Sequence, residues 1–490
     1  MFHKLLSRKG AMAAASVALG LSGMSLALAS PAGATGTYTA GKTSTLITGS
    51  GSQTAYAVMA SLTTLFNEAA GCDFAASTSV PNALNCGTSS TAGPTITGTP
   101  GSYTIATPGN VDGEQGFPVS GLNPYNDYAA NLPATSSGTG RAQLNGGTAT
   151  DGASATYNVF EPSYARTSSF STASPANTAM NYVKYATDGV SWTTFSKANG
   201  VATAQAKVKT LTQAQITAIW NNTLSCTVSG VTYTMNWKCV GASKSAPIDC
   251  YQPQNGSGTA GTWASFAGYS VSGTATAPCT GNEAGDTTES ASAAVASHTN
   301  LFENQMAQVG AASDAADAIY FMSFGKWNTT CTGIKSVTPS YTAHCAGTPT
   351  TDTTVFGGIG GVQANQASVQ GSGGGAGVTF PVTRGLYNVY NNSSATGNQV
   401  PASQATLNFV GENGFLCRPE TSAIVNPVTG NSFRFDIEAA IKSQGFFPLD
   451  VSGSPFTYTA PTYEGVLTGV YAGSLATAQD TLGYCLPSNG

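Results

Sequence analysis

Charge is what this chain lacks most. Asp, Glu, Lys and Arg make up 8% of its 490 residues, 18 basic against 23 acidic, where folded domains average about 25%. Without a basic patch to neutralise phosphates, nucleic acid is excluded as a partner. Histidine is scarcer still, with three in the chain and only His298 and His344 beyond residue 34. No CxxC accompanies them, so the usual ligand spacing of a zinc site is missing, and no metal or cofactor is expected. A nucleophile elbow, G-x-S-x-G, is also absent, which removes the signature of a Ser-His-Asp hydrolase. The run "GSGGGAG" at 371–377 lacks the strand, helix and Lys of a phosphate loop and reads as a flexible segment. Past the N-terminus no apolar run is long enough to span a bilayer.

Low charge does not mean disorder here, because 41% of the residues are apolar and 9% aromatic, enough to build cores. Thr, Ser, Gly and Asn take the place of charge on the surface. At the N-terminus, "MFHKLLSRKG" carries three cations and no acid, and the Ala-rich run "AMAAASVALGLSGMSLALA" follows. This pattern reads as a secretory signal peptide over 1–34, cleaved after Ala29 or Ala34. Its removal takes Lys4, Arg8 and Lys9, leaving a formal charge of −8 in place of −5. The first cysteine is Cys72, too far on to carry a lipid anchor. A secreted or extracytoplasmic protein is expected, with room for two or three domains.

Ten cysteines in an exported chain read as disulfides. They fall into neighbouring pairs: Cys72 and Cys86, Cys226 and Cys239, Cys250 and Cys279, Cys331 and Cys345, Cys417 and Cys485. Spacing alone leaves the connectivity open. Neighbour pairing would close each loop for roughly 2–4 kcal/mol.

Along the chain, "TSTLIT" reads as a short strand before a helix over 53–69, whose Tyr56, Met59, Leu62, Leu65 and Phe66 share one face. Strand character marks "ATYNVFEPSYARTSS", "AMNYVKYATDGVSWTTF", "APIDCYQPQ", "DAIYFMSFGKW" and "FPVTRGLYNVYNN". Helices are expected in 211–224, in "SASAAVASHTNLFENQMAQV" and in "FRFDIEAAIKSQGFF". Alternating strands and helices predict an α/β fold with mainly parallel sheets.

Three Ser/Gly turns stand before helix starts: "GSQT" (51–54), "SSGTG" (136–140) and "GSGT" (256–259). A fourth polar turn, "ARTSS" (165–169), joins a cation to hydroxyls. Free N–H groups at a helix N-terminus favour an anion, glycine permits close approach, and Ser or Thr adds a donor. In an open α/β sheet such turns gather at the carboxyl ends of strands.

On "GSQTAYAVM", "LTQAQITAIWNN", "PQNGSGTAGTW" and "FPVTRGLYNVY", in that order, the chain resembles the substrate-binding proteins of ABC-type phosphate transporters. These are the phosphate-binding branch of the type 2 periplasmic-binding-protein fold, and the likeness is to exported actinobacterial members. The resemblance spans about 43–450. It implies a two-lobed Venus-flytrap molecule, with lobe I over 36–172 and 378–450 and lobe II over 173–330. A Gly/Thr-rich insertion or linker over 331–377 and a C-terminal tail over 451–490 complete it. It further implies a small oxyanion, phosphate first, held by Ser52, Thr54, Ser137, Gly138, Ser257, Gly258 and Thr259, and delivered by a monomer to an ABC permease without chemistry. Two features depart from the family pattern. An Arg is missing just before the last turn, where "YQPQNGSGT" stands, and an Asp is missing near "ARTSS". Arg141, Arg166 and Ser168 are the candidates to complete the site, and Asp151 and Glu161 are the nearest acids. The second reading is a secreted envelope or surface protein that keeps the fold and no longer serves a transporter.

Overall fold

The computed structural model describes most of residues 46–69, 127–145, 162–170, 179–270, 301–370, 379–449 and 484–489, with short strands at 42–43, 95–99, 102–106, 112–113, 149–150 and 156–157. The expected signal peptide, Cys72 and Cys86, Cys279, His298, Asp151, Glu161 and "GSGGGAG" lie outside the described residues. Among the described residues no helix is long and apolar enough to cross a membrane.

The chain enters through β1 (Leu46–Ser52) and turns directly into α1 (Gln53–Glu68). Gly51 makes that switch at φ +110°, a backbone state that costs a side-chain-bearing residue dearly. Val58, Met59, Leu62, Leu65 and Phe66 of α1 are buried, each worth roughly 1.5–3 kcal/mol of apolar burial. Phe66 meets Phe409 with ring centroids 4.6 Å apart. The order continues with β2 (Tyr128–Thr135), α2 (Ser137–Leu144), β3 (Tyr164–Thr167) and a 19-residue strand, β4 (Met180–Ala198). Then come α3 (Gln213–Trp220), β5 (Asp249–Cys250) and α4 (Gly258–Ala267). Next are β6 (Ala318–Ser323), α5 (Phe324–Thr330), β7 (Cys331–Val337), β8 (Ser340–Cys345) and β9 (Thr353–Phe356). The last elements are β10 (Thr383–Asn391), α6 (Gln404–Val410), α7 (Phe433–Ser443) and β11 (Leu486–Asn489).

The fold is α/β, with a mixed sheet in the order β7-β8-β9-β4-β10-β3-β1-β2. Pairing is parallel where β1 lies between β2 and β3, and where β5 meets β6. It is antiparallel along β4, which pairs with β6, β9, β10 and β11, an arrangement the strand–helix alternation did not announce.

β4 also joins the two largest hydrophobic cores, and its Met180 and Tyr182 add to a small third one. Val183, Tyr185 and Ala186 pack in the core built around α1, α6 and α7. Val190, Trp192 and Phe195 pack in the larger core, which holds all five tryptophans. The chain returns at the start of β10, with Val382, just before the strand, in the larger core and Leu386 in the smaller. The change between cores therefore falls near 187–189, inside β4, and between 382 and 386, where the chain enters β10, against the lobe bounds of 173 and 378 expected from the sequence. A strand buried on both faces gives no composition break at such a crossing.

The stretch expected as an insertion or linker over 331–377 is instead part of the sheet. It supplies β7, β8 and β9, and its Ala343, Val355, Phe356, Ile359 and Val369 belong to the larger core. "DAIYFMSFGKW" divides into strand and helix, because the Ser323 hydroxyl accepts from the Lys326 N–H and starts α5. Disulfides join Cys226 to Cys239, Cys331 to Cys345 and Cys417 to Cys485, as neighbour pairing predicts, and Cys250 is also disulfide-bonded. The last of these bonds fixes the chain's end, where β11 pairs with β4 through Asn181–Lys184.

Candidate functional site

Each Ser/Gly turn is a helix cap. The Ser52 hydroxyl accepts from Ala55 N–H, Ser136 from Thr139 N–H, and Ser257 from Ala260 N–H, so the sequence signal for a helix start is also the signal for the site. What the sheet adds is convergence. β1, β2 and β3 run parallel and deliver the first two turns and "ARTSS" to one end, and α4 arrives from the larger core.

At that meeting point the Ser168 hydroxyl lies 3.3 Å from both Ser52 Oγ and Ser137 Oγ. Ser168 N–H donates to Ser137 Oγ at 3.1 Å. Gly138 N–H donates to the Gly256 carbonyl at 2.9 Å, tying the second turn to the third. Thr54 Oγ1 stands 3.4 Å from Thr259 Oγ1. A Cβ on Gly258 would come within 2.5 Å of Ser168 Oγ and 2.6 Å of Ser137 Oγ, so only glycine fits between the hydroxyls. Eight of the ten expected ligand residues thus cluster: Ser52, Thr54, Ser137, Gly138, Ser168, Ser257, Gly258 and Thr259.

The other two do not. Arg166 is fully buried, but its guanidinium donates to the carbonyls of Gly49, Gly51 and Leu132 and to Asn131 Oδ1, and it lies 5.3 Å from the centre of the Tyr56 ring. Arg141 donates to Thr167 Oγ1 at 2.8 Å and to Ser169. Arg166 thus braces β1 and β2, and Arg141, from α2, braces the end of β3. Burial lowers the pKa of each.

The cation of the cluster is Arg384, on β10. Its Nη1 donates to Thr259 Oγ1 at 2.8 Å and to Ser168 Oγ at 3.2 Å. Nη2 reaches Thr54 Oγ1 at 3.5 Å. Asp188 of β4 stands opposite Arg384 in the antiparallel register and accepts from its Nε at 3.0 Å and Nη2 at 2.9 Å, both side chains fully buried. Cross-strand neighbours on one face meet in this way. The other Asp188 oxygen accepts from Gly325 N–H at 3.2 Å.

A second acid, Glu303, is also buried and accepts from Ser257 Oγ, from Thr259 N–H at 3.2 Å and from Thr54 Oγ1 at 3.0 Å. Lys326 lies near both acids; burial holds its ammonium down to about 8, against the opposing pull of Asp188 and Glu303.

Sequence reasoning missed Arg384, Asp188 and Glu303. The signal for the first two was present: each is the lone charge of its sign in its strand, and a charge in a buried strand is almost never unpaired. "FPVTRGLYNVY" was among the segments carrying the family resemblance, yet its arginine was not read as a site residue. Nothing local marks Glu303.

No family model matches the chain, and no curated protein does. Among solved structures it is similar to an ABC-type phosphate transport receptor from Vibrio cholerae, with 15% identity, TM-score 0.42, and coverage of 82% of this chain and 99% of that one. It is similar to PstS from Borrelia burgdorferi at 11% identity and TM-score 0.35, over 82% and 98% of the two chains. A human phosphate binding apolipoprotein aligns at 14% identity and TM-score 0.35, over 65% and 85%. At such scores the functional reading rests on the site's own geometry.

Proposed function

We propose that this chain is an extracytoplasmic solute-binding protein that captures a small tetrahedral oxyanion, phosphate first, and presents it to an ABC permease as a monomer, without chemistry. The observation that carries this reading is the meeting of helix-start turns from both cores on one guanidinium, Arg384. Hydroxyls and N–H groups at helix N-termini, beside a planar guanidinium, are the donor set that replaces an oxyanion's water. The donors come from helices packed on both cores, which β4 and the entry to β10 connect, and this suits closure about a hinge.

One observation favours the second reading, a secreted envelope protein that has left transport. Asp188 already neutralises Arg384, and Glu303 already accepts from three donors of the cluster. Thermal unfolding of the oxidised protein with phosphate, and with sulfate as control, separates the two. A ligand at 1,000 times its Kd adds about 4.1 kcal/mol, which raises Tm by several degrees in a chain of this size. A rise with phosphate supports capture. No rise with either anion supports the envelope protein.

A further inference from the structure

We propose that Glu303 is a built-in anion, seated on the donors that an entering oxyanion would use, and that it regulates access to the site. The inference rests on the oxyanion-capture reading. Glu303 Oε1 accepts from Ser257 Oγ and from Thr259 N–H, and Oε2 accepts from Thr54 Oγ1. These are donors from the first and third turns, on opposite walls. Neither α1 nor α4 has an acidic residue in its first turn. Glu303 thus supplies from a distant segment the negative charge that the N-terminus of α4 favours.

Its segment is tethered to the first turn. Glu303 N–H donates to Gln53 Oε1 at 2.8 Å, and the next residue, Asn304, donates from Nδ2 to Thr54 Oγ1 at 2.9 Å. Asn304 also accepts from Ser323 N–H at 2.7 Å and donates its own N–H to the Tyr320 hydroxyl at 3.1 Å. It holds φ +63°, a left-handed state that asparagine tolerates better than most residues. The carboxylate is therefore held in place by its segment. Asp188 already balances Arg384, so a second anion meets the like charge of Glu303, offset in part by Lys326, and finds its donors occupied. Displacement of Glu303 is the step that opens the site.

The test is titration calorimetry of inorganic phosphate, and separately of sulfate, into the full chain, Glu303→Gln and Gln53→Ala, with circular dichroism to confirm folding. Glu303→Gln keeps the shape and removes the charge; it should bind both anions at least about tenfold tighter than the parent. Gln53→Ala loosens the tether and should move affinity the same way by a smaller factor. Equal or weaker binding by folded Glu303→Gln, with binding by the parent, overturns this inference and leaves capture standing. No heat from any of the three folded proteins overturns the capture reading itself. Should Glu303→Gln not fold, Gln53→Ala decides: tighter binding supports the built-in anion, and unchanged binding overturns it.

Discussion

Among the described residues two guanidiniums are fully buried, Arg166 on β3 and Arg384 on the neighbouring β10, and their surroundings differ in kind. Around Arg166 the acceptors are mainly backbone carbonyls at the ends of β1 and β2, with Asn131 beside them. Around Arg384 they are a carboxylate, three hydroxyls from three different turns and, at 3.4 Å, a single carbonyl, that of Ser168. Burial of a charge therefore does not by itself mark a ligand site. A guanidinium satisfied by main-chain carbonyls is fixed in the architecture, whereas one held by rotatable hydroxyls can exchange partners with an entering anion.

The strongest way to break the comparison is Arg384→Met. It leaves Asp188 buried without its partner and should cost about 3–5 kcal/mol in urea unfolding, with loss of any Tm rise on adding phosphate. Adding Asp188→Leu should recover most of the stability and none of the phosphate response. Were the double variant still to respond, Arg384 would not be the anion's cation.

Arg166→Met comes next. It orphans buried carbonyls at about 1–3 kcal/mol each, less whatever the site relaxes, and should leave the phosphate-induced Tm rise intact. Loss of that rise in a folded variant would erase the distinction between the two arginines. Thr259→Val is gentler. It removes one hydroxyl that accepts from Arg384, a charge-assisted bond worth about 1.5–3 kcal/mol, and should weaken anion binding by titration calorimetry.

The smallest effect concerns a third cation. Lys326, held to about 8 by burial, gives up its proton in the folded chain before it does in the unfolded one. Between about pH 8 and the ordinary lysine value of 10.5 the unfolded state holds more protons, so stability should rise with pH across that window. Tyr164, pushed up to about 12 by burial, works in the opposite direction above pH 10, so urea midpoints are best compared between pH 8 and 9.5. Lys326→Met should flatten the rise.

Much of the site was legible because its donors are also helix caps. Ser52, Ser136 and Ser257 announce helix starts by local chemistry, and local chemistry is what a sequence displays. The helix over 53–68, the strand at 383–391 and the terminal helix at 433–443 were legible for the same reason, through the spacing of their apolar residues. The change between cores was not, since β4 crosses it without interruption. The strands within 331–359 were hidden by Gly- and Thr-rich flanks that resemble a linker.

The sequence by itself determined which turns carry free N–H groups and hydroxyls, which cysteines lie near enough to pair, and that the fold alternates strand with helix. Only the tertiary structure decided which charges meet those turns. Asp188 and Arg384 are 196 residues apart and become partners through antiparallel register; Glu303 reaches Thr54 from 249 residues away. Charges act through distance in space. Where a strand pairing or a loop sets that distance, no spacing along the chain encodes it.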